Sequence, residues 1–423
     1  MRGRGRPGHR RGRADRVGRI ADLTESKVTV KTGSRGADGN GMSSTPEALA
    51  RPEDADAGPQ SLFARWLRKL NEVDGSDLHV KVGSPPLVRL GSQLRRLGTQ
   101  PVTAEVAEDL AWTLVPEKRR AVLELDGAVD FAHSEPGVGR YRGNIFRQRG
   151  SLSMVFRRLR LGGPSFEEVR LPDVVRTLAE EKRGLVLVTG PTGSGKTTTL
   201  AAMIQHINAT RPVHIVTIED PIEILFHDKL ASINQREVGE DTPSFLNAMR
   251  SAMRQDPDVI LIGEMRDPET VQAALAAAET GHLVLSTMHT LDATETVNRV
   301  VDFFPPHQQQ QVRLTLAGSL RGIVSQRLVP SESGGRVPCV EVLVNTGRVA
   351  SRIQDPQSTS EIHDVIAEGE YYGMCTFDQS LVRLVAAGSV SVEAAMEAAS
   401  EPHDLELMLK SKGLVDASLA LSR

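Results

Sequence analysis

The stretch 185-LVLVTGPTGSGKTTTL-200 places an apolar strand, a glycine-rich loop and a helix in immediate succession. Gly190, Pro191, Thr192, Gly193, Ser194, Gly195, Lys196 and Thr197 satisfy G-x-x-x-x-G-K-[ST] in the strand–loop–helix setting that this pattern requires. The chemistry explains the residue types. Glycines let backbone N–H groups turn inward on phosphate oxygens, and the helix N-terminus adds the positive end of its dipole. Lys196 then reaches the β- and γ-phosphates, and the Thr197 hydroxyl coordinates Mg²⁺. Thr198 is counted with the loop. The stretch predicts a site for a nucleoside triphosphate.

Outward from the loop, LVLVTG, HIVTIED, DVILIGE and HLVLSTMH are short apolar runs separated by helical periodicity. Strands without polar alternation predict a mainly parallel sheet covered on both faces. Ligands of such sheets bind beyond the carboxyl ends of the strands. Acids stand there. In DPDVILIGEMRD the position directly after the apolar run is Gly263 and the acid follows as Glu264, a candidate for holding Mg²⁺ or orienting the attacking water. TIEDPIE offers Glu219, Asp220 and Glu223. His289 ends the strand of TGHLVLSTMHT, where an imidazole N–H can bond a phosphate oxygen. His282 begins the same strand, with a core or interface role equally open. Opposite faces and the lack of a third ligand argue against a metal shared by the two histidines.

Composition bounds the rest. At 423 residues, two or three domains are expected. The 25% of charged and 39% of hydrophobic residues are ordinary for a globular chain, and no apolar run reaches the length of a membrane span. Cys339 and Cys375 are too few for a disulfide framework or a four-cysteine zinc site, which fits the cytoplasm. Net charge of −3 gives no argument for nucleic acid. Residues 1–58 read as a disordered extension rich in Arg, Gly and Ser, without the apolar region of a signal peptide. An α+β domain is expected over 59–160, with strands in DLHVKV, PLVRL, GRYRGNIFRQ and LSMVFRRL. A linker is expected over 161–184 and the nucleotide-binding domain over 185–345. Beyond Pro306 the chain reads as mostly helical, with QQQQVRLTLAGSLRGIVSQRL as one amphipathic stretch and a helical region over 346–423.

GPTGSGKTTT, TIEDPIE, DPDVILIGEMRD and TGHLVLSTMHT, in this order, resemble the Walker A, Asp box, Walker B and His box of the type II/IV secretion ATPases, nearest to the PilT-type retraction motors of type IV pili. The resemblance also takes in SDLHVKVGSPPLVRLGSQLRRL, FRQRGSLSMVFRRL and INQREVGEDT. It implies a RecA-like P-loop domain preceded by a PAS-like α+β domain, joined as a homohexamer. It implies ATP bound at Gly190–Thr198 with Mg²⁺ on Thr197 and Glu264, Glu264 as catalytic acid with Glu219 and Glu223 as rivals, and His289 as γ-phosphate sensor. It also implies arginines of the first domain acting on a neighbour's ATP, for which Arg147 and Arg157 are the candidates; Arg254 and Arg266, flanking Walker B, are rivals within their own domain. The implied place is the cytoplasm, on the inner face of the membrane, against an inner-membrane pilus platform protein. No paired CxxC motif is present, which favours retraction, whereas NTGRVASRIQDP replaces the retraction motors' AIRNLIRE-like signature. The alternatives are an assembly or secretion motor and, with little aromatic or basic patterning to support it, a nucleic-acid translocase.

Overall fold

A computed structural model describes residues 59–415. The arginine-rich reading of 1–58 lies outside the described residues, as does the end of the C-terminal region, 416–423.

The first part of the chain builds a six-stranded antiparallel sheet from β1 (Asp77–Lys81), β2 (Leu87–Leu90), β3 (Gln93–Arg96), β4 (Ala128–Glu135), β5 (Gly139–Gln148) and β6 (Ser151–Arg158). Its order is β3-β2-β1-β6-β5-β4, so β1 pairs with β6 across a long insertion. Helices Pro59–Glu72 and Ala104–Leu114 cover one face through Phe63, Leu67, Leu70, Leu110 and Ala111, all buried. Inward residues alternate along β5, Tyr141 and Ile145 being buried while Arg142 between them is exposed.

After the short strand β7 (Arg160–Leu161) come β8 (Gly184–Thr189), β9 (His214–Glu219), β10 (Ile224–Leu225), β11 (Ser232–Glu237), β12 (Val259–Ile262), β13 (Leu283–Met288), β14 (Leu320–Pro330) and β15 (Arg336–Val344). β7 pairs with β10 alone. The others form a seven-stranded sheet in the order β11-β9-β12-β13-β8-β14-β15, parallel throughout except for the β14–β15 hairpin. Helices bury both faces, one cluster forming around Ile260, Val284 and Leu316 and the other around Val186, Met203 and Ile204.

Two expectations change. Residues 161–184 are more than a linker, because Phe166, Val175, Leu178 and Ala179, on helices Phe166–Val169 and Asp173–Ala179, enter the second core cluster. The stretch QQQQVRLTLAGSLRGIVSQRL is not one helix. Helix Pro306–Ser319 stops and Leu320–Ser325 pair with Leu185–Thr189 of β8, since the P-loop strand needs a buried neighbour on that side. From Gly347 onward the described chain is helical, apart from the single bridge of Cys375 to Val342.

Candidate active site

Register fixes where the chemistry gathers. Ile218 pairs with Ile262, Ile262 with Ser286 and Met288 with Thr189. Glu219, Glu264, His289 and Gly190 therefore leave the same edge of four adjacent parallel strands.

The phosphate loop is built around Gly190, whose φ of +134° a side chain would rarely adopt and whose Cβ would lie 2.3 Å from the Gln326 carbonyl oxygen. Helix Lys196–Thr210 begins behind Gly195 with no side-chain cap, so its first N–H groups remain for a ligand. Lys196 is buried, its ammonium donating to the carbonyls of Gly190 (2.8 Å) and Pro191 (3.0 Å). Burial pushes its pKa down, and the negative charge of Glu264 opposes that shift. Thr197 and Thr198 are exposed, as are Pro191, Thr192 and Gly193, whereas the Ser194 hydroxyl is buried without a partner. An orphaned buried hydroxyl inside a ring of donors fits an anion that the chain itself does not supply.

Gln326 of β14 holds the loop from behind. Its amide donates to the Ser194 carbonyl at 2.6 Å and its carbonyl accepts from the Thr199 hydroxyl at 2.9 Å. Gln326, Gly195, Thr198, Arg170 and Arg336 line a cleft of 360 Å³ at the far side of the loop. Gln326 and the two arginines were absent from the sequence reading.

Glu264 sits in the middle of the edge, its side chain 12% exposed. Arg266 approaches one oxygen at 2.5 Å and the His289 Nε2 the other at 3.3 Å. The strand end is fixed beneath it: the Thr287 hydroxyl donates to the Gly263 carbonyl (2.7 Å) and the Met265 N–H to the Thr287 carbonyl (3.1 Å). Gly263, the position before the acid, passes close to β9: a Cβ there would lie 3.3 Å from the Ile218 carbonyl oxygen.

Glu219 bonds the Thr217 hydroxyl (2.7 Å) and the Gln235 amide (3.1 Å), and burial raises its pKa. Glu223 is exposed. His282 turns away from this edge, its Nδ1 lying 2.9 Å from the Ala277 carbonyl near the end of helix Pro268–Glu279.

The arginines separate. Arg254 folds back on the Arg250 carbonyl, and Arg266 joins Glu264. Arg147 is exposed near the end of β5 and makes no side-chain hydrogen bond among the described residues. Arg157, directly across from Asp77, gives only its Nε to that buried carboxylate (2.8 Å) and is 70% exposed, so its two terminal nitrogens face outward. The two parts of the chain meet elsewhere, where Arg119 and Lys118 grip Glu240 at 2.7 and 2.6 Å.

Residues 156–406 match the family described as type II/IV secretion system protein. The chain is 43% identical over 329 residues to the type IV pilus retractation ATPase PilT of Pseudomonas aeruginosa, covering 78% of this chain and 95% of that one. It is 44% identical over 321 residues to a twitching motility protein of Neisseria gonorrhoeae, covering 76% and 86%. Its fold matches a crystal structure of the pilus retraction motor PilT with bound ADP, at a TM-score of 0.74 and 45% identity over 82% of this chain and 99% of that one. The ATPase DotB of Legionella pneumophila matches at 0.63 and 25% identity, covering 85% and 98%. A RecA-like ATPase sheet carrying four boxes in order, matched along more than half its length, is what the chain presents: it belongs to the type II/IV secretion system protein family.

Proposed function

We propose that this chain hydrolyses ATP and drives the retraction of a type IV pilus. The observation that carries the reading is the meeting of Lys196, Glu264 and His289 at one sheet edge, in a chain so similar to proteins named as retraction motors.

The residues fit a nucleotide. The loop's free N–H groups and the Ser194 hydroxyl receive the phosphates, while the cleft beside Thr198 has room for the nucleoside between Arg170 and Arg336. Lys196 contacts the β- and γ-oxygens. Among the described residues no three His, Cys, Asp or Glu side chains gather as a metal cage, and Mg²⁺ needs none, since one or two protein oxygens and the phosphates suffice. Thr197 and Glu264 would hold it, directly or through water, and when bound it neutralises charge on the phosphates. Glu264 orients the attacking water, with His289 against its other side as the group that meets the γ-phosphate. Glu219, with its raised pKa, and Glu223 are the second acids of that edge.

Arg157 and Arg147, both exposed on the first sheet, serve the ATP of a neighbouring subunit in a homohexamer. The ring works at the cytoplasmic face of the inner membrane, against a platform protein that carries the pilus; no helix among the described residues is long and apolar enough to cross a membrane. No nucleic-acid partner enters this reading.

The test is mechanical. In a piliated strain lacking its own retraction motor, the chain restores filament shortening against an optical trap, and Glu264→Gln does not. Filaments that lengthen instead would make it an assembly motor.

A further inference from the structure

Outside the phosphate edge, one buried acid is bonded directly to the segment that carries His289. Glu341 lies on β15, opposite Ser325 of β14, and is only 3% exposed. Its Oε1 accepts the N–H of Ala293 at 2.8 Å. Ala293 opens the helix Ala293–Asp302, four residues after His289.

In its other hydrogen bonds that segment is tied to itself. Asp292 caps the Glu295 N–H (2.7 Å), Glu295 returns to the Leu291 N–H (2.7 Å), and the hydroxyls of Thr290 and Thr296 meet at 2.6 Å. Apart from the contact of His289 with Glu264, the Glu341 bond is the one described hydrogen bond joining residues 289–296 to another element. Such internal closure makes the segment a unit; Ala293, Val297, Val300 and Val301 seat it in the core, and the Glu341 bond is the polar tie that fixes its N-terminal end beside His289.

We propose that Glu341 is a positioning residue: by pinning the N-terminus of helix Ala293–Asp302 to the β14–β15 hairpin it sets where His289 stands against Glu264 and the γ-phosphate. The inference rests on the reading of this edge as the ATP site. The hairpin also carries Arg327, which packs on the Phe377 ring at 3.8 Å and donates to the Ala398 carbonyl at 2.9 Å. The pin therefore links the phosphate edge to the C-terminal helices.

An ionised carboxylate at a helix N-terminus is a stronger acceptor than a neutral one, through charge assistance and the dipole. Burial opposes the charge here and, with Asp292 and Asp378 nearby, raises the pKa of Glu341 to about 7, against the Ala293 hydrogen bond and the pull of Arg327; Cys375, across β15, is the other titratable group it touches electrostatically. Because the folded pKa lies above the ordinary value, stability is lost as pH rises from about 4.5 to about 7, while the pin tightens over the same rise. Position and stability thus move in opposite directions, which separates this role from a merely structural one.

The experiment measures MgATP hydrolysis by the full chain and by Glu341→Gln, between pH 6 and 8.5, alone and with His289→Ala. The amide keeps a carbonyl for the Ala293 N–H and loses the charge. Expected at pH 8 are a kcat lower by about fivefold, the margin between a charged and a neutral acceptor, a KM within about twofold, and an unchanged or higher melting temperature. The step near pH 7 flattens, and in the His289→Ala background Glu341→Gln costs nothing more. An unaltered kcat, or an equal loss with and without His289, would overturn the proposal. Hydrogen exchange on the unaltered, nucleotide-free chain decides independently of hydrolysis or of how the variant folds: after correction for intrinsic rates, residues 290–296 gain protection as pH rises through about 7. A segment whose protection has no such step contradicts the pin, whereas a chain that shows the step but hydrolyses no ATP contradicts only the ATPase reading.

Discussion

Gln326→Leu is the substitution that best isolates what shapes the phosphate loop. Gln326 is 1% exposed and leucine nearly preserves its volume, so packing changes little. Two bonds disappear, those to the Ser194 carbonyl at 2.6 Å and from the Thr199 hydroxyl at 2.9 Å. Both groups are left facing an apolar side chain. At about 1–1.5 kcal/mol each, the loss is about 2–3 kcal/mol, which lowers the melting temperature of a domain of this size by about 4–12 °C. Part of the same cost falls on the nucleotide, because the loop must be drawn back into shape around the phosphates. If half of it does, ADP affinity falls about tenfold. Differential scanning calorimetry and calorimetric titration with ADP measure the two quantities on one sample. A variant melting within about 1 °C of the parent and binding ADP unchanged would refute the claim that β14 shapes the loop.

Glu264→Gln keeps the size and hydrogen bonding of the side chain but not its charge, so ATP binds and is not cleaved; filter-retained radiolabelled nucleotide recovered as ATP rather than ADP checks this. Loss of an arginine acting in trans costs P-loop enzymes about 10³–10⁵ in rate, so rings of Arg157→Ala alone are expected to be inactive. Mixed with inactive Lys196→Ala chains they should regain turnover, because some interfaces then pair an intact loop with an intact arginine. Mixed rings as dead as their parents would return the arginine role to Arg266, which already touches Glu264.

The legible and illegible parts of the site divide along the sheet. β8, β9, β12 and β13 are buried on both faces, so each reads as an unbroken apolar run, and the residues just past each run mark the ligand edge. Lys196, Glu264 and His289 were readable for that reason. β14 was not, because LRGIVSQRL continues the spacing of the helix before it, and only the tertiary need of β8 for a partner turns it into a strand. Gln326 and Glu341 were lost with it, as both lie on that hairpin. The pairing of Arg157 with Asp77 joins strands 80 residues apart, a distance over which no local pattern speaks. The helices Phe166–Val169 and Asp173–Ala179 were hidden by their flanking Gly and Pro, which suggested a linker.

The central claim is that the loop at Gly190–Thr198 is a working ATP site. Its most direct measurement is phosphate release from MgATP by the full-length chain beside Lys196→Ala, which removes the buried ammonium now bonded to the Gly190 and Pro191 carbonyls. The account predicts steady turnover by the first and none above background by the second, with the substituted chain still folded by circular dichroism. Equal turnover by both chains would mean that this loop is not where ATP is cleaved.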